Sequence, residues 1–265
     1  MPQPVPCSAG QDGGVGERRL IFGEAPEQYH RHRPRYPREV VDLIATLAGA
    51  QGRILEVGAG TGKLTADLLA RGLAVEALEP SGAMAAVLRT TIGGSEGATV
   101  LEVGFEDLPP GAGPYDVVAA AQSWHWLREG ERLDVAASAL RSGGHLVLAW
   151  NREEHPGPVG AAIVAAYERF GPELAGIDDR AWMQAIVEEV GADARFTDVE
   201  RREVAWPLSR SCDDYLAVLG TYSGHRLLES ASRDALYRAI GDAIEANGGS
   251  IDLDGRTVVV TARRS

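Results

Sequence analysis

The sequence predicts an α/β fold in which short apolar strands alternate with helices to form an open, doubly wound parallel sheet. Five short apolar segments alternate with helical patterns over residues 53–150. The first of these segments ends in a turn with a glycine at every second position, and a helical pattern follows at once. Right-handed crossovers are expected for strand–helix–strand units of this kind.

Composition limits the class of protein. At 265 residues the chain can bury a sizeable core, as one large domain or one domain with an insertion. The formal net charge of -12 argues against a nucleic-acid partner, because phosphate contacts need clustered Lys and Arg. Two cysteines, Cys7 and Cys212, cannot build a disulfide scaffold or a structural zinc site, and we predict no metal site. No stretch reaches the roughly 18 apolar residues of a membrane span, so we expect a cytoplasmic monomer or homodimer with no membrane partner.

The glycine turn follows the first strand in the segment RILEVGAGTGKL, Arg53 to Leu64. A phosphate-binding loop of the Walker A type would need glycine in place of Val57 and a hydroxyl residue in place of Leu64. A dinucleotide-binding turn would need its third glycine at Lys63. Both phosphate interpretations therefore fail on spacing.

The remaining interpretation is a turn without side chains that leads into the N-terminus of a helix. The unpaired amides of that N-terminus can face a polar ligand. The glycines of the turn are Gly58, Gly60 and Gly62, and Glu56 just before them adds a carboxylate that could hold a cation. LEVGAGTG resembles motif I of the class I S-adenosylmethionine-dependent methyltransferases, whose ExGxGxG turn holds the methionine part of the cofactor. The resemblance implies S-adenosyl-L-methionine as cofactor and a Rossmann-like, seven-stranded sheet whose last strand is antiparallel. The alternative is a glycine turn that only packs a helix on a sheet.

The N-terminal region divides into a tail and a basic, aromatic segment. Residues 1–20 are predicted to be a disordered tail, and 21–265 a single domain. The segment FGEAPEQYHRHRPRYP resembles the Y-x(3)-RP-x-YP segment of a subgroup that includes trans-aconitate methyltransferases and related type 11 enzymes. In that subgroup the segment folds over the cofactor, which implies Tyr29 or Arg33 near the methionine carboxylate. A solvated loop whose tyrosines pack on the domain is the alternative.

The second apolar segment, LAVEALEP, ends in Glu79. If it is the next parallel strand, Glu79 lies at its carboxyl end beside the glycine turn, where open α/β sheets bind ligands. A carboxylate there can accept hydrogen bonds from both ribose hydroxyls. Ser81 can cap the following helix, and Met84 in the first turn either lies against the adenine or packs in the core.

The third segment, ATVLEVG, leads into FEDLP. In the resembled family this turn meets the adenine, often through an acidic side chain at the position held here by Gly104. Adenine recognition is therefore expected to rest on the backbone around Phe105, with Glu106 nearby.

The fourth segment, PYDVVAAAQSWHWL, is a nearly all-apolar strand followed by a polar and aromatic cluster. We assign Gln122 to cofactor binding. The stretch resembles motif IV of the same subgroup, which implies that the aromatic, His-containing run after Gln122 borders the transferred methyl. His125 would act as a base if the nucleophile arrives protonated, or would only form the wall of the site. Trp124 and Trp126 either contact the substrate or the sulfonium, or pack in the core. The stretch lacks the (N/D)PP(Y/F) motif of enzymes that methylate DNA bases or glutamine.

A turn at Ser142–Gly144 is predicted to enter a fifth strand, His145 to Trp150. Beyond it, cap helices are predicted over about 151–190 and 211–247, with a final strand closing the chain. In the resembled family such an insertion shapes the substrate pocket, which points to Tyr222 and Arg226. Arg226 would pair with a substrate carboxylate or lie exposed, and a neutral natural-product intermediate stays open.

The sequence thus predicts methyl transfer from S-adenosylmethionine to oxygen or carbon of a small molecule, a small acid or natural-product intermediate. A fold recruited to a non-methylating reaction such as cyclisation is one alternative. A non-catalytic, cofactor-binding partner is the other.

Overall fold

The computed structural model describes residues 22–109, 111–176 and 179–265. The predicted tail over residues 1–20 lies outside the described residues, as does Cys7.

Seven strands form one sheet in the order β3-β2-β1-β4-β5-β7-β6. The first four neighbouring pairs, from β3 to β5, are parallel, and the last strand, β7, runs antiparallel, as predicted. The strands are β1 (Arg53–Val57), β2 (Ala74–Leu78), β3 (Ala98–Leu101), β4 (Tyr115–Ala121), β5 (Leu140–Glu154), β6 (Phe196–Ser211) and β7 (Ser250–Arg264).

Two α-helices precede β1, and single α-helices connect β1 to β2, β2 to β3 and β4 to β5, whereas a 3-10 turn lies between β3 and β4. Ten α-helices lie within the described residues in all. They are α1 (Pro26–His32), α2 (Arg38–Ala48), α3 (Lys63–Leu69), α4 (Gly82–Ile92), α5 (Arg132–Ala139), α6 (Gly157–Phe170), α7 (Asp179–Ala192), α8 (Cys212–Leu219), α9 (Ser223–Leu227) and α10 (Ser230–Glu245). None of these helices combines the length and the apolarity that crossing a membrane requires.

The central strands are buried because their side chains are mostly apolar. Four of the five residues of β1 are buried, as expected for a strand covered by helices on both faces. In register, Val57 at the end of β1 faces Leu78 of β2 and Ala120 of β4. The carboxyl ends of these three parallel strands therefore meet at one edge of the sheet, which is where ligands bind in open α/β folds.

The fifth strand is longer than predicted. The sequence predicted a turn at Ser142–Gly144 before a strand beginning at His145, but the strand already begins at Leu140. While β4 advances from Tyr115 to Val117, β5 advances from Leu140 to His145. The extra residues form a bulge, in which Gly143 adopts a φ of +74° that favours glycine.

Helix α5 begins at Arg132, two residues after Gly130. Gly130 adopts a left-handed φ of +79°, which keeps the preceding residues out of the helix.

The chain forms two compact units. The first, called the sheet unit, contains Arg35–Asn151, Met183–Val204 and Thr257–Ser265. Its core joins α2 and α3 to the central strands through residues such as Ile44, Leu68 and Val117.

The second unit, called the helical unit, contains the described residues up to Pro34 together with Arg152–Trp182 and Ala205–Arg256. Helices α6 and α10 pack against each other, as do α8 and α10. The helical unit has its own apolar core, which includes Ile163, Tyr215 and Leu236.

Candidate functional site

The glycine turn between β1 and α3 is left-handed at each glycine. Gly58, Gly60 and Gly62 have φ of +66°, +59° and +83°, a region that disfavours side chains. A Cβ atom on Gly58 would lie 2.6 Å from Cβ of Ser123, and one on Gly62 would overlap Leu88. The backbone therefore favours glycine at all three positions, and close neighbours also oppose a side chain at Gly58 and Gly62.

Two carboxylates flank this turn. Glu79, directly after β2, is 7% exposed; its Oε2 accepts the N–H of Gly60 and its Oε1 accepts the N–H of Ser81, each at 2.8 Å. A carboxylate oxygen can accept more than one hydrogen bond, so these backbone contacts are compatible with a ligand hydroxyl at the same carboxylate. Glu56 is 1% exposed and accepts the hydroxyl hydrogen of Thr65 at 2.7 Å.

Burial shifts the pKa of two groups at the turn, Glu56 and Lys63. Desolvation raises the pKa of Glu56 from its ordinary 4.5 to about 8, and the nearby charge of Glu79 adds to this, although the Thr65 hydrogen bond opposes it. Glu56 is therefore mostly uncharged at neutral pH. Burial also lowers the pKa of Lys63 to about 8, with a further contribution from Arg35. A ligand cation beside Glu56 would favour its carboxylate form.

One polar group of the turn was missed by sequence reasoning. Thr61 lies between two of the glycines and is 1% exposed, and its hydroxyl has no hydrogen-bond partner among the described residues. Because buried polar groups are nearly always paired, such a hydroxyl calls for a ligand or an ordered water. The turn thus fits a polar ligand, and a hydroxyl residue within a glycine turn is the sequence signal for it.

The residues predicted to lie near an adenine are found on α4 and after β3. Met84 is buried in the first turn of α4, which Ser81 caps as predicted, and its Cε lies 3.7 Å from where a Cβ of Gly60 would be. Phe105 is buried with its ring centroid 6.1 Å from that of Trp124. The side chain of Glu106 accepts the backbone N–H of Arg128 at 2.9 Å, so it also shapes the local backbone.

The segment after β4 is held against the glycine turn. Gln122 has a φ of +60°, which costs a non-glycine residue about 1 to 3 kcal/mol. Its backbone N–H donates to the oxygen of Ala149, and its side chain donates to the oxygen of Asn151 at 3.1 Å. The hydroxyl of Ser123 donates to the backbone oxygen of Val57, the last residue of β1. The polar cluster and the glycine turn therefore lie side by side.

The aromatic cluster Trp124–Trp126 forms a single 3-10 turn. Trp124 is fully buried, and the guanidinium of Arg132 lies 5.6 Å from its ring. Arg132 also donates to the backbone oxygen of Trp124 at 3.3 Å and pairs with Glu189. Trp126 is buried as well and lies 5.0 Å from the His125 ring. Trp124 is therefore packed in the core, and its contact with the substrate or the sulfonium stays a prediction.

His125 has an uncharged ring. The indole N–H of Trp150, on β5, donates to Nδ1 of His125 at 3.2 Å. Burial lowers the pKa of His125 to about 3, and the positive charge of Arg132 acts in the same direction. The sequence hypothesis of a base relied on a pKa near neutrality, which the structure does not support.

Tyr29 and Arg33 belong to the helical unit. Tyr29 lies in α1, and Arg33 follows that helix. Arg33 donates from Nε to the Thr221 hydroxyl at 2.8 Å and from Nη2 to the Thr221 carbonyl at 3.2 Å. Its guanidinium carbon lies 3.7 Å from the centroid of the Tyr222 ring. A cofactor role for Tyr29 or Arg33 stays a prediction.

The two residues predicted to bind substrate adjoin a buried imidazole in the same unit. Arg226 pairs with Glu24 at 3.4 Å, whereas Tyr222 lies 6.0 Å from the ring of fully buried His225. His225 Nε2 is 3.0 Å from the hydroxyl of Tyr167, on α6. Within the described residues, its Nδ1 has no hydrogen-bond partner.

The sequence of this chain is similar to those of known methyltransferases. A family model described as a methyltransferase domain matches residues 29–155. An uncharacterized methyltransferase of Mycobacterium tuberculosis (strain H37Rv) is 38% identical over 199 residues, which cover 71% of this chain and 70% of the relative. An O-methyltransferase of Penicillium expansum, cnsE, is 33% identical over 193 residues, covering 70% of this chain and 68% of the relative.

Solved structures share the fold. A protein of Anaeromyxobacter dehalogenans, provisionally called a type II methyltransferase, aligns with a TM-score of 0.65 and 22% identity, covering 88% of this chain and 97% of its own. A methyltransferase of Geobacter sulfurreducens in complex with S-adenosyl-L-homocysteine aligns with a TM-score of 0.50 and 15% identity, covering 92% and 98%.

Proposed function

We propose, because this chain belongs to the class I S-adenosylmethionine-dependent methyltransferases, that it transfers a methyl group to oxygen or carbon of a small molecule. The cofactor is S-adenosyl-L-methionine. The observation that carries the proposal is the glycine turn, whose Gly60 amide is held by a buried carboxylate and whose Thr61 hydroxyl has no partner among the described residues.

In this proposal, different residues of the sheet unit bind different parts of the cofactor. Glu79, directly after β2 and bonded to the amides of Gly60 and Ser81, accepts hydrogen bonds from the ribose hydroxyls. Met84 and Phe105 contact the adenine, with Glu106 fixing the backbone beside them. The amides and glycines of the turn, with Glu56 behind them, hold the methionine part.

When bound, the cofactor supplies an electrophilic methyl group on a sulfonium. The protein then has to align the acceptor with that methyl and exclude water, and alignment alone can supply roughly 7 kcal/mol of the barrier lowering. Gln122 and Trp126 lie on the segment that Ser123 fixes to the end of β1, so we assign them to the border of the reacting groups. Trp124 supports this segment from the core.

Substrate binding is assigned to the helical unit. The Tyr222 ring lies 6.0 Å from the buried imidazole of His225, and Arg226 is the residue after His225 in α9, so we assign Tyr222 and Arg226 to the polar groups of a substrate. The similarity to an O-methyltransferase favours oxygen over carbon as acceptor. Membership of the trans-aconitate-like subgroup rests on the Y-x(3)-RP-x-YP segment and stays a proposal.

The test begins with calorimetric titration of S-adenosylmethionine into the purified protein, with NADH as the matched control ligand. We expect binding of the former only. Matched acids and alcohols, such as benzoate with benzyl alcohol and cinnamate with cinnamyl alcohol, are then incubated with protein and cofactor, and products are analysed by mass spectrometry. A methylated product supports the proposal. Absence of cofactor binding contradicts it, whereas a rearranged and unmethylated product supports the cyclisation alternative.

A further inference from the structure

We propose that the helical unit contains an oxyanion site centred on Arg152, and that this site binds a carboxylate of the methyl acceptor, which rests on the proposed function. Arg152 lies near the end of β5, within the helical unit. The site is separate from Arg226, whose guanidinium pairs with Glu24 at 3.4 Å.

Arg152 carries its charge in a buried position. The residue is 6% exposed, and its Nε has no hydrogen-bond partner among the described residues. Its ion pair, from Nη1 to Oε1 of Glu154, is 3.7 Å long, which is too long for a hydrogen bond. A guanidinium keeps its charge in proteins, and a buried charge without a close counter-charge is costly. The surroundings of Arg152 therefore favour the binding of an anion.

Glu154 is a poor counter-charge for Arg152, because two other arginines share this carboxylate. Nη2 of Arg180 donates to Oε1 of Glu154 at 2.9 Å, which is the hydrogen bond that Arg152 does not make. Nε of Arg256 lies 3.8 Å from Oε2 of the same carboxylate. One carboxylate thus faces three guanidiniums, and a second carboxylate would reduce this imbalance.

The cluster is suited to a carboxylate in particular. Glu154 and Arg256 are partly exposed, so the cluster is not sealed from solvent. A guanidinium presents its N–H groups in a planar fork that matches the two oxygens of a carboxylate. A neutral hydroxyl brings no counter-charge to Arg152. The site should therefore bind an acid in preference to the corresponding alcohol.

The course of the chain relates this site to the acceptor. The side chain of Gln122 donates to the backbone oxygen of Asn151 at 3.1 Å, and its backbone N–H donates to the oxygen of Ala149. Arg152 is the next residue of β5 after Asn151. Arg152 therefore directly follows the part of β5 that is bonded to the segment assigned to the border of the reacting groups. For this reason we assign the bound carboxylate to the acceptor.

The arginine Nε–H signals of the cofactor-free protein test the site directly. The full chain is labelled with 15N, and the Arg152→Lys variant identifies the Arg152 signal. Sodium benzoate is titrated in, with benzyl alcohol and sodium chloride as controls at matched ionic strength. We expect a saturable shift of the Arg152 signal with benzoate only. No shift with benzoate, or an equal shift with either control, overturns the proposal.

Arg152→Met distinguishes a ligand site from a structural ion pair. The variant removes the charge but keeps an apolar stem, and Glu154 keeps its hydrogen bond from Arg180. We expect unchanged or higher stability in denaturant unfolding, and loss of the stabilisation that benzoate gives the wild-type protein. Arg238→Met, at an exposed position on α10, is the matched control and should change neither.

Stabilisation by benzoate that persists in Arg152→Met overturns the proposal. If Arg152→Met does not fold, Arg152→Lys is measured in its place, because it keeps the charge but lacks the planar fork. We expect weaker stabilisation by benzoate in that variant, and undiminished stabilisation overturns the proposal in the same way.

A second pair of probes tests the assignment to the acceptor. The compounds para-hydroxybenzoate and para-hydroxybenzyl alcohol share a phenol oxygen and differ in the carboxylate. In calorimetry with S-adenosyl-L-homocysteine present, we expect Arg152→Met to weaken binding of the acid about 10- to 100-fold, since a charge-assisted pair is lost, and to leave the alcohol unchanged. For an acid that is methylated, KM should rise by a similar factor while kcat holds.

Absence of acid binding to the wild-type protein, or equal losses for acid and alcohol, overturns the proposal. Failure of S-adenosylmethionine to bind contradicts the proposed function instead, and leaves the benzoate results standing.

Discussion

Cofactor binding should release a proton from Glu56. With a pKa of about 8, roughly nine-tenths of this carboxyl is protonated at pH 7. If the cofactor's ammonium group lies beside it, the charged form is stabilised and the pKa returns toward its ordinary 4.5. We therefore expect about 0.9 protons to be released per cofactor at pH 7, falling to about 0.1 at pH 9.

Calorimetry counts these protons. The observed binding enthalpy is measured at one pH in phosphate and in Tris, and its dependence on the buffer's ionisation enthalpy is the number of protons released. Glu56→Gln removes the titrating group but keeps the hydrogen bond to Thr65, so its proton count should be close to zero. Lys63→Met is the control, because burial also gives Lys63 a pKa of about 8.

Either of two results would refute this reasoning. Proton release that persists in Glu56→Gln and disappears in Lys63→Met would assign the effect to the ammonium group of Lys63. No release in the wild-type protein at pH 7, with tight cofactor binding, would show that the cofactor's positive charge does not reach Glu56.

Three further changes test other parts of the site. Glu79→Ala should weaken S-adenosylmethionine binding by about 1 to 3 kcal/mol in calorimetry, since a charge-assisted hydrogen bond is lost; unchanged affinity would remove Glu79 from the ribose site. Thr61→Val should leave thermal stability equal or higher, because it removes a buried hydroxyl without a partner, and should weaken cofactor binding by about 1 kcal/mol; a loss of stability alone would argue against a ligand contact. Arg226→Ala should raise KM for acidic acceptors while kcat holds, and equal effects on alcohols would contradict carboxylate recognition.

Stability should also depend on pH through Glu56. Its pKa is raised in the folded state, so the folded protein binds more protons than the unfolded chain between about pH 4.5 and 8. The contribution of Glu56 to stability is therefore largest below this range and is lost as pH rises through it. The fall should be smaller in Glu56→Gln than in the wild-type protein when denaturant unfolding is followed across that range.

Local signals were sufficient for the cofactor turn. The alternating glycines of motif I and the position of Glu79 after the second strand are set by residues close together in sequence. The structure places Glu79 beside the turn as predicted, where it accepts the Gly60 N–H, and each of the three glycines has a left-handed φ. The chain's apolar segments likewise predicted the doubly wound sheet.

Contacts between distant residues were beyond sequence reasoning. Trp150 and His125 are 25 residues apart and meet only because β5 lies beside β4. Arg33 and Thr221 are 188 residues apart, and no local pattern indicates their hydrogen bond. The low pKa of His125 follows from burial, which depends on the packing of the whole unit. The role of a titratable residue was therefore harder to predict than its position.

The close approach of Gly58 to Ser123 limits how this protein could be altered. Even a methyl group on Gly58 would displace the segment that carries His125, and a larger residue at Ser123 would press on the glycine turn. Variants selected for new acceptors at this segment would therefore be expected to change cofactor affinity at the same time. Redesign of acceptor preference is better directed at Trp126 or at the helical unit. Ser123 should be kept, because it joins the segment after β4 to the glycine turn.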